Sequence, residues 1–170
     1  MESPLWPYLS IQVKAMLSNT KIFFILLVIT TNSLFSNISI PSYFKEIKRQ
    51  KLPPSLLKGY VEKYHLKERA SINIAKESLK ISLKDYLLET EKLYKFSHDH
   101  SYKFLGFFNI KNYPSALIEI SYTTNIHTYK ILQALCETPD GIYVLSGSCF
   151  QNNYSFYYPR FIQSFLSFNL

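Results

Sequence analysis

Hydrophobic and polar positions change period several times along this chain, and each change predicts an element. Over residues 70–76 they alternate, with Ile72 and Ile74 on one side, which is the period-two pattern of a half-buried strand. From Ser82 the period lengthens. Leu83, Tyr86, Leu87, Thr90 and Tyr94 fall on one helical stripe, while Lys84, Asp85, Glu89, Glu91 and Lys92 occupy the opposite side. Ser82 with Asp85 three residues on supplies the N-terminal cap, because a serine oxygen accepts a backbone N–H that the first turn leaves unpaired. Four segments rich in β-branched and aromatic residues follow, at 102–110, 115–123, 128–137 and 142–150. Short polar breaks separate them. The sharpest break is Thr138, Pro139, Asp140 and Gly141, where proline presets φ and glycine accepts a positive one. Connections this short exclude parallel crossovers, so the four segments are expected to form an antiparallel meander. Tyr158, Phe161, Ile162, Phe165 and Leu166 then recur at helical spacing, with Pro159 expected in the first turn, where a missing N–H is tolerated. The pattern predicts an α+β fold: an antiparallel sheet with at least two helices packed on it.

The N-terminal region has a different character. An unbroken apolar run at 22–29 follows Lys21 and gives way to a Thr, Asn and Ser-rich exit. A helix needs about 20 apolar residues to cross a bilayer. A basic start, a short apolar centre and a small-residue exit instead form the layout of a signal peptide, here 1–36, with cleavage after Ser33 or Ser36. Met16 makes a more ordinary start than Met1. The same run would also serve as an uncleaved anchor or as a buried helix of the fold. The mature chain is expected to contain no integral membrane span.

With 170 residues, 47% of them apolar, and 13 Phe and 14 Tyr, the chain has material for one compact core. The net charge of +7 is unevenly placed. Residues 45–69 hold eight basic side chains against three acidic ones, and the remainder is nearly neutral. Residues 37–54 therefore read as a basic, partly disordered leader, with Lys45, Lys48, Arg49 and Lys51 as an arm toward an acidic partner or membrane surface, and 55–170 as the domain. No nucleic-acid motif accompanies the charge, so nucleic acid is not an expected partner.

Ser146, Gly147, Ser148 and Cys149 resemble the surroundings of a protease nucleophile, but a reactive thiol needs a base within reach. None of the 21 residues after Cys149 is His, and the local alternation is that of a strand. With Pro139 and Asp140 in the turn, Cys136 falls opposite Tyr143 or Val144, too far from Cys149 for a disulfide. His98 and His100 lie on the same side of an extended chain and are the weak candidates for metal ligands, although no third ligand is visible. His65 and His127 are isolated. Tyr154, Phe156, Tyr157 and Tyr158 hold more rings than one helix face can bury, and form the candidate interaction surface.

The strand at 71–77 followed by the helix from Ser82 resembles the opening of the PsbP-like superfamily, which includes DcrB-type periplasmic proteins. So does the later order: the run from Tyr129, the Pro-Asp-Gly turn, Tyr143 to Ser148, and a closing helix that ends in Ser164-Phe165 or Ser167-Phe168. The resemblance spans 53–170 and implies an α/β/α sandwich in an exported, periplasmic or secreted protein, without enzymatic activity or cofactor. Its members act mostly as extrinsic subunits, assembly factors or binding modules. The function expected here is thus an interaction or assembly module of the cell envelope, with an envelope protein or membrane surface as partner. The alternative is a binding module for lipid or another apolar ligand in an aromatic-lined cleft.

Overall fold

A computed structural model of the chain describes residues 38–64, 70–77, 81–95, 100–124 and 126–169. Residues 1–36, the stretch read as a signal peptide, together with His65 and His98, lie outside the described residues.

Seven strands and two helices follow in the order β1 (Phe44–Glu46), β2 (Leu56–Glu62), β3 (Ser71–Glu77), α1 (Leu83–Lys95), β4 (His100–Ile110), β5 (Tyr113–Thr123), β6 (Thr128–Thr138), β7 (Gly141–Phe150) and α2 (Tyr154–Leu166). They build one antiparallel sheet in the order β1-β2-β3-β7-β6-β5-β4. The meander β4–β7 is as the pattern predicts. What spacing alone does not reveal is that β3 pairs with β7 rather than with β4, from Ser71 opposite Ser148 to Glu77 opposite Ile142. This makes β7 a central strand, and its residues from Ile142 to Cys149 are all buried.

The β6–β7 turn is held by its own residues. Thr138 Oγ1 donates to the Gly141 carbonyl at 2.8 Å and accepts the Asp140 N–H at 3.3 Å, and Gly141 takes φ +125, a conformation that glycine alone adopts without strain.

Strand alternation sends successive side chains to opposite faces, and each face has its own helix. On one face Ile72, Ile74, Leu132, Ala134, Cys136, Leu145 and Cys149 meet Tyr157, Phe161, Phe165 and Phe168 from the α2 region. On the other, Ala116, Ile118, Ile120, Leu135, Ile142 and Val144 meet Leu83, Tyr86, Leu87 and Tyr94 of α1. The result is an α/β/α sandwich. The α1 cap forms as expected: Ser82 Oγ accepts the Asp85 N–H at 3.2 Å and donates to its carboxylate at 2.6 Å.

The structure corrects α2 in two respects. Its buried side is Tyr157, Phe161, Ser164 and Phe165, one position around the helix from the predicted stripe, so that Leu166 is 49% exposed. Two polar groups hid the true face from the hydropathy pattern: Ser164, which is buried, and Tyr157, whose hydroxyl finds a buried partner. The helix also starts at Tyr154, which leaves Pro159 inside it rather than in its first turn. Pro159 and Ser155, whose carbonyl loses the N–H it would otherwise accept, are both exposed, so water can take that carbonyl.

Within the stretch read as leader, Phe44 is buried and β1 pairs with β2, with Phe44 opposite Glu62. Neither β1 nor β2 was among the expected elements. Three residues are too few to show a period, and Lys58 and Gly59 interrupt the alternation of β2. At Gly59 a β-carbon would lie 2.7 Å from Leu52 Cδ2, within a segment folded over β2.

Candidate interaction surface

Tyr157 and Phe161 face inward on α2 because the sheet beneath is shaped to accept them. A β-carbon at Gly147 would lie 2.4 to 2.6 Å from three ring atoms of Phe161, so the ring rests directly on the backbone of β7. This contact explains the glycine between two serines. Next to it, Tyr157 donates its hydroxyl to Glu62 Oε2 at 2.6 Å across 95 residues of sequence. Glu62 is only 3% exposed, and this bond satisfies part of a carboxylate that water cannot reach. Burial first, and then Glu62, push the Tyr157 pKa up. Phe44 of β1 meets the Tyr157 ring edge-on at 6.4 Å. β1 is thereby brought against the aromatic helix.

The four aromatic positions have different environments. Tyr157 is buried, Tyr154 and Tyr158 are half-buried and meet edge-to-face at 5.6 Å, and Phe156 is 52% exposed. The Tyr154 hydroxyl is buried beside Glu119 without a hydrogen bond of standard geometry, and burial, reinforced by that carboxylate, raises its pKa. Glu119 itself pairs with Lys130 at 2.7 Å. Phe156 is held from one side by Arg160, whose guanidinium stacks 3.7 Å from the ring centroid and donates to the Phe156 carbonyl. The outward side of α2 carries the exposed Phe156, Pro159 and Leu166, with the polar Gln163 between the last two.

Lys45, Lys48, Arg49 and Lys51 are all exposed around β1 and the turn after it. Arg49 is tied down by donating to the Leu56 carbonyl. None of these basic residues lines the cleft of about 310 Å³ between residues 39–43, which precede β1, and α2; its lining is mostly polar, with Ser39, Ser42, Tyr43, Arg160, Gln163 and Ser164 beside the apolar Ile40 and Pro41.

Cys149 lies opposite Lys130 on the α2 side of the sheet, and burial pushes its thiol up to about 12. The two described histidines pack on the other side. His100 stacks on Tyr122, and His127 lies against Phe150, within an aromatic row that runs through Tyr129. No imidazole among the described residues therefore reaches the thiol. Cys136 pairs with Tyr143, so Cys149 lies six residues further along β7, about 20 Å away. Both thiols are free and buried. No group of three potential metal ligands occurs among the described residues, and His98 lies outside them.

Sequence reasoning missed Glu62, Tyr43 and Arg160. A buried carboxylate at the end of a strand has no local signature, and an arginine in an aromatic helix reads as an ordinary solvated residue. It also missed a buried polar row on the α1 side, where Ser71 and Ser148 hydrogen-bond at 2.8 Å and Gln133 donates to Ser146 at 3.1 Å.

These features define a small α/β/α sandwich with the PsbP-like fold. No protein-family model and no curated protein sequence matches the chain. Solved structures do. LpqN of Mycobacterium tuberculosis, described as involved in cell envelope biogenesis, has a TM-score of 0.57 at 12% identity over 76% of this chain and 79% of its own. Cyanobacterial PsbP from Synechocystis has a TM-score of 0.56 at 10% identity, covering 78% and 85%. The Ran-binding protein Mog1p of Saccharomyces cerevisiae has a TM-score of 0.50 at 14% identity, covering 78% and 88%. At such identities the likeness is one of fold.

Proposed function

We propose that this protein is an exported, non-enzymatic interaction or assembly module that binds a partner through the outward side of α2. The observation that carries the reading is Phe156. A half-exposed ring costs free energy in water, and here a guanidinium holds it in one orientation beside the exposed Pro159. Aromatic and arginine side chains are the types that dominate binding hot spots. Two proteins of similar fold, LpqN, described as involved in cell envelope biogenesis, and the Ran-binding protein Mog1p, are in keeping with this class. Export rests on the N-terminal pattern. Among the described residues, no helix is long and apolar enough to cross a membrane. The apolar-ligand alternative gains no support from the cleft beside α2, whose lining is mainly polar.

The test places a photo-crosslinking phenylalanine at position 156 of the full chain in its native cells, with the exposed Leu88 of α1 as control position. A discrete adduct from 156 that is absent from 88, on protein whose N-terminus begins between Asn32 and Ile38, is the expected outcome. The same adducts from both positions, or none from 156, would overturn the surface. An intact Met1 or Met16 on cytosolic protein would overturn export.

A further inference from the structure

The cleft between residues 39–43 and α2 has one cation in its lining, Arg160, and a second, Lys63, at its margin. Arg160 lines it, donating to the Phe156 carbonyl, stacking on the Phe156 ring and lying against the Tyr43 hydroxyl, and it pairs with no carboxylate among the described residues. Lys63 lies beside it, donating to the carbonyl of Ser42, which is also in the lining. Neither cation forms an ion pair among the described residues. Between them lies Tyr43, whose hydroxyl is buried and has no hydrogen-bond partner of standard geometry. After burial, Arg160 and then Glu62 act on that hydroxyl, and one Glu62 oxygen already accepts from Tyr157. On the solvent side the lining adds donors without charge: the hydroxyls of Ser39 and Ser42 and the amide of Gln163.

An arginine with unused N–H groups at the wall of a polar cleft is suited to a planar, two-oxygen anion. The cavity of about 310 Å³ is at the low end for ligand pockets and fits one side chain or a chain terminus better than a cofactor. It also adjoins the exposed Phe156, Pro159 and Leu166, so a polypeptide lying on α2 can reach it. We infer that this cleft binds a carboxylate of the partner polypeptide, supplied by an acidic side chain or by the C-terminus, with Arg160 as its anchor. The inference rests on the interaction reading above and adds the chemistry of the partner: an apolar contact for Phe156 flanked by an acidic group.

The test uses the isotope-labelled full chain and three peptides, followed by amide and arginine Nε–H chemical shifts. The peptides are acetyl-Gly-Glu-Gly-amide, its Gln counterpart, and acetyl-Gly-Gly-Gly with a free C-terminus. The Glu peptide, the free-terminus peptide or both should shift Ser39, Ser42, Gln163, Ser164 and the Arg160 side chain, and the Gln peptide should not. Which of the two responds identifies the source of the carboxylate. Arg160→Gln should weaken the response about tenfold or more, the scale of one charge-assisted hydrogen bond, and Arg160→Lys should retain part of it. Equal responses to the Glu and Gln peptides, no response to either carboxylate, or a response unchanged by Arg160→Gln would overturn the inference. The wild-type Glu and Gln comparison decides the matter even if a variant fails to fold. A discrete adduct from position 156 together with silent peptides would leave the interaction surface standing and remove only the carboxylate.

Discussion

Gly147 shows how one residue can decide a helix position. Phe161 occupies the space that any β-carbon at 147 would need, and the clash is with ring atoms attached close to the helix backbone. Gly147→Ala should therefore lift or tilt α2 and destabilise the protein by about 1 to 3 kcal/mol, the usual range for an overpacked core. Thermal or urea unfolding measures this directly, and an unchanged midpoint would show that the ring is not seated as described. The same glycine answers the question raised by its neighbour. Cys149 is a small apolar residue of a central strand, not a nucleophile, because its environment raises the thiol pKa instead of lowering it.

At the level of elements, α1 offers a clean measurement because its cap is exposed and local. Ser82 Oγ takes one of the unpaired N–H groups of the first turn. Ser82→Ala should cost about 0.5 to 2 kcal/mol, and Ser82→Gly only a few tenths, since glycine lets water reach the same N–H. Chemical denaturation of the two variants against wild type gives both values, and an order with Gly worse than Ala would refute the cap. This helix and the β6–β7 turn were legible in the sequence because each is specified by residues within four positions of one another. The α2 stripe was not fully legible, because Tyr157 and Ser164 are polar by composition and buried only by virtue of what the sheet places opposite them.

Across the whole molecule, buried acids with raised pKa values set how stability depends on pH. Burial raises the thiols of Cys136 and Cys149 and the phenols of Tyr86, Tyr94, Tyr154 and Tyr157. A group whose folded pKa exceeds its unfolded value binds more protons in the folded state, so stability declines as pH rises between the two values. The contribution of Cys149 is complete below the ordinary thiol value of 9.0 and is lost progressively toward about 12, and the tyrosines follow from 10.0 upward. Urea midpoints should fall steadily from about pH 9, and Cys149→Ala should reduce the early part of that fall. A midpoint that holds or rises through this range would contradict the burial of these groups.

The hydrophobic periods, the cap and the turn chemistry determined by themselves that this chain forms an α+β domain with a β4–β7 meander between two helices, because such signals act over a few residues. They also pointed to α2 as the surface of interest. The partner strand of β7, the insertion of β1 and β2 at the sheet edge, and the meeting of Glu62 with Tyr157 and of the 39–43 segment with Arg160 were decided only in the tertiary structure. Apart from the local pairings of β1 and β2, these contacts join residues roughly 65 to 120 positions apart. Over such separations no local period records which face will meet which. The outcome depends on burying two apolar faces at once while leaving each buried polar group a partner.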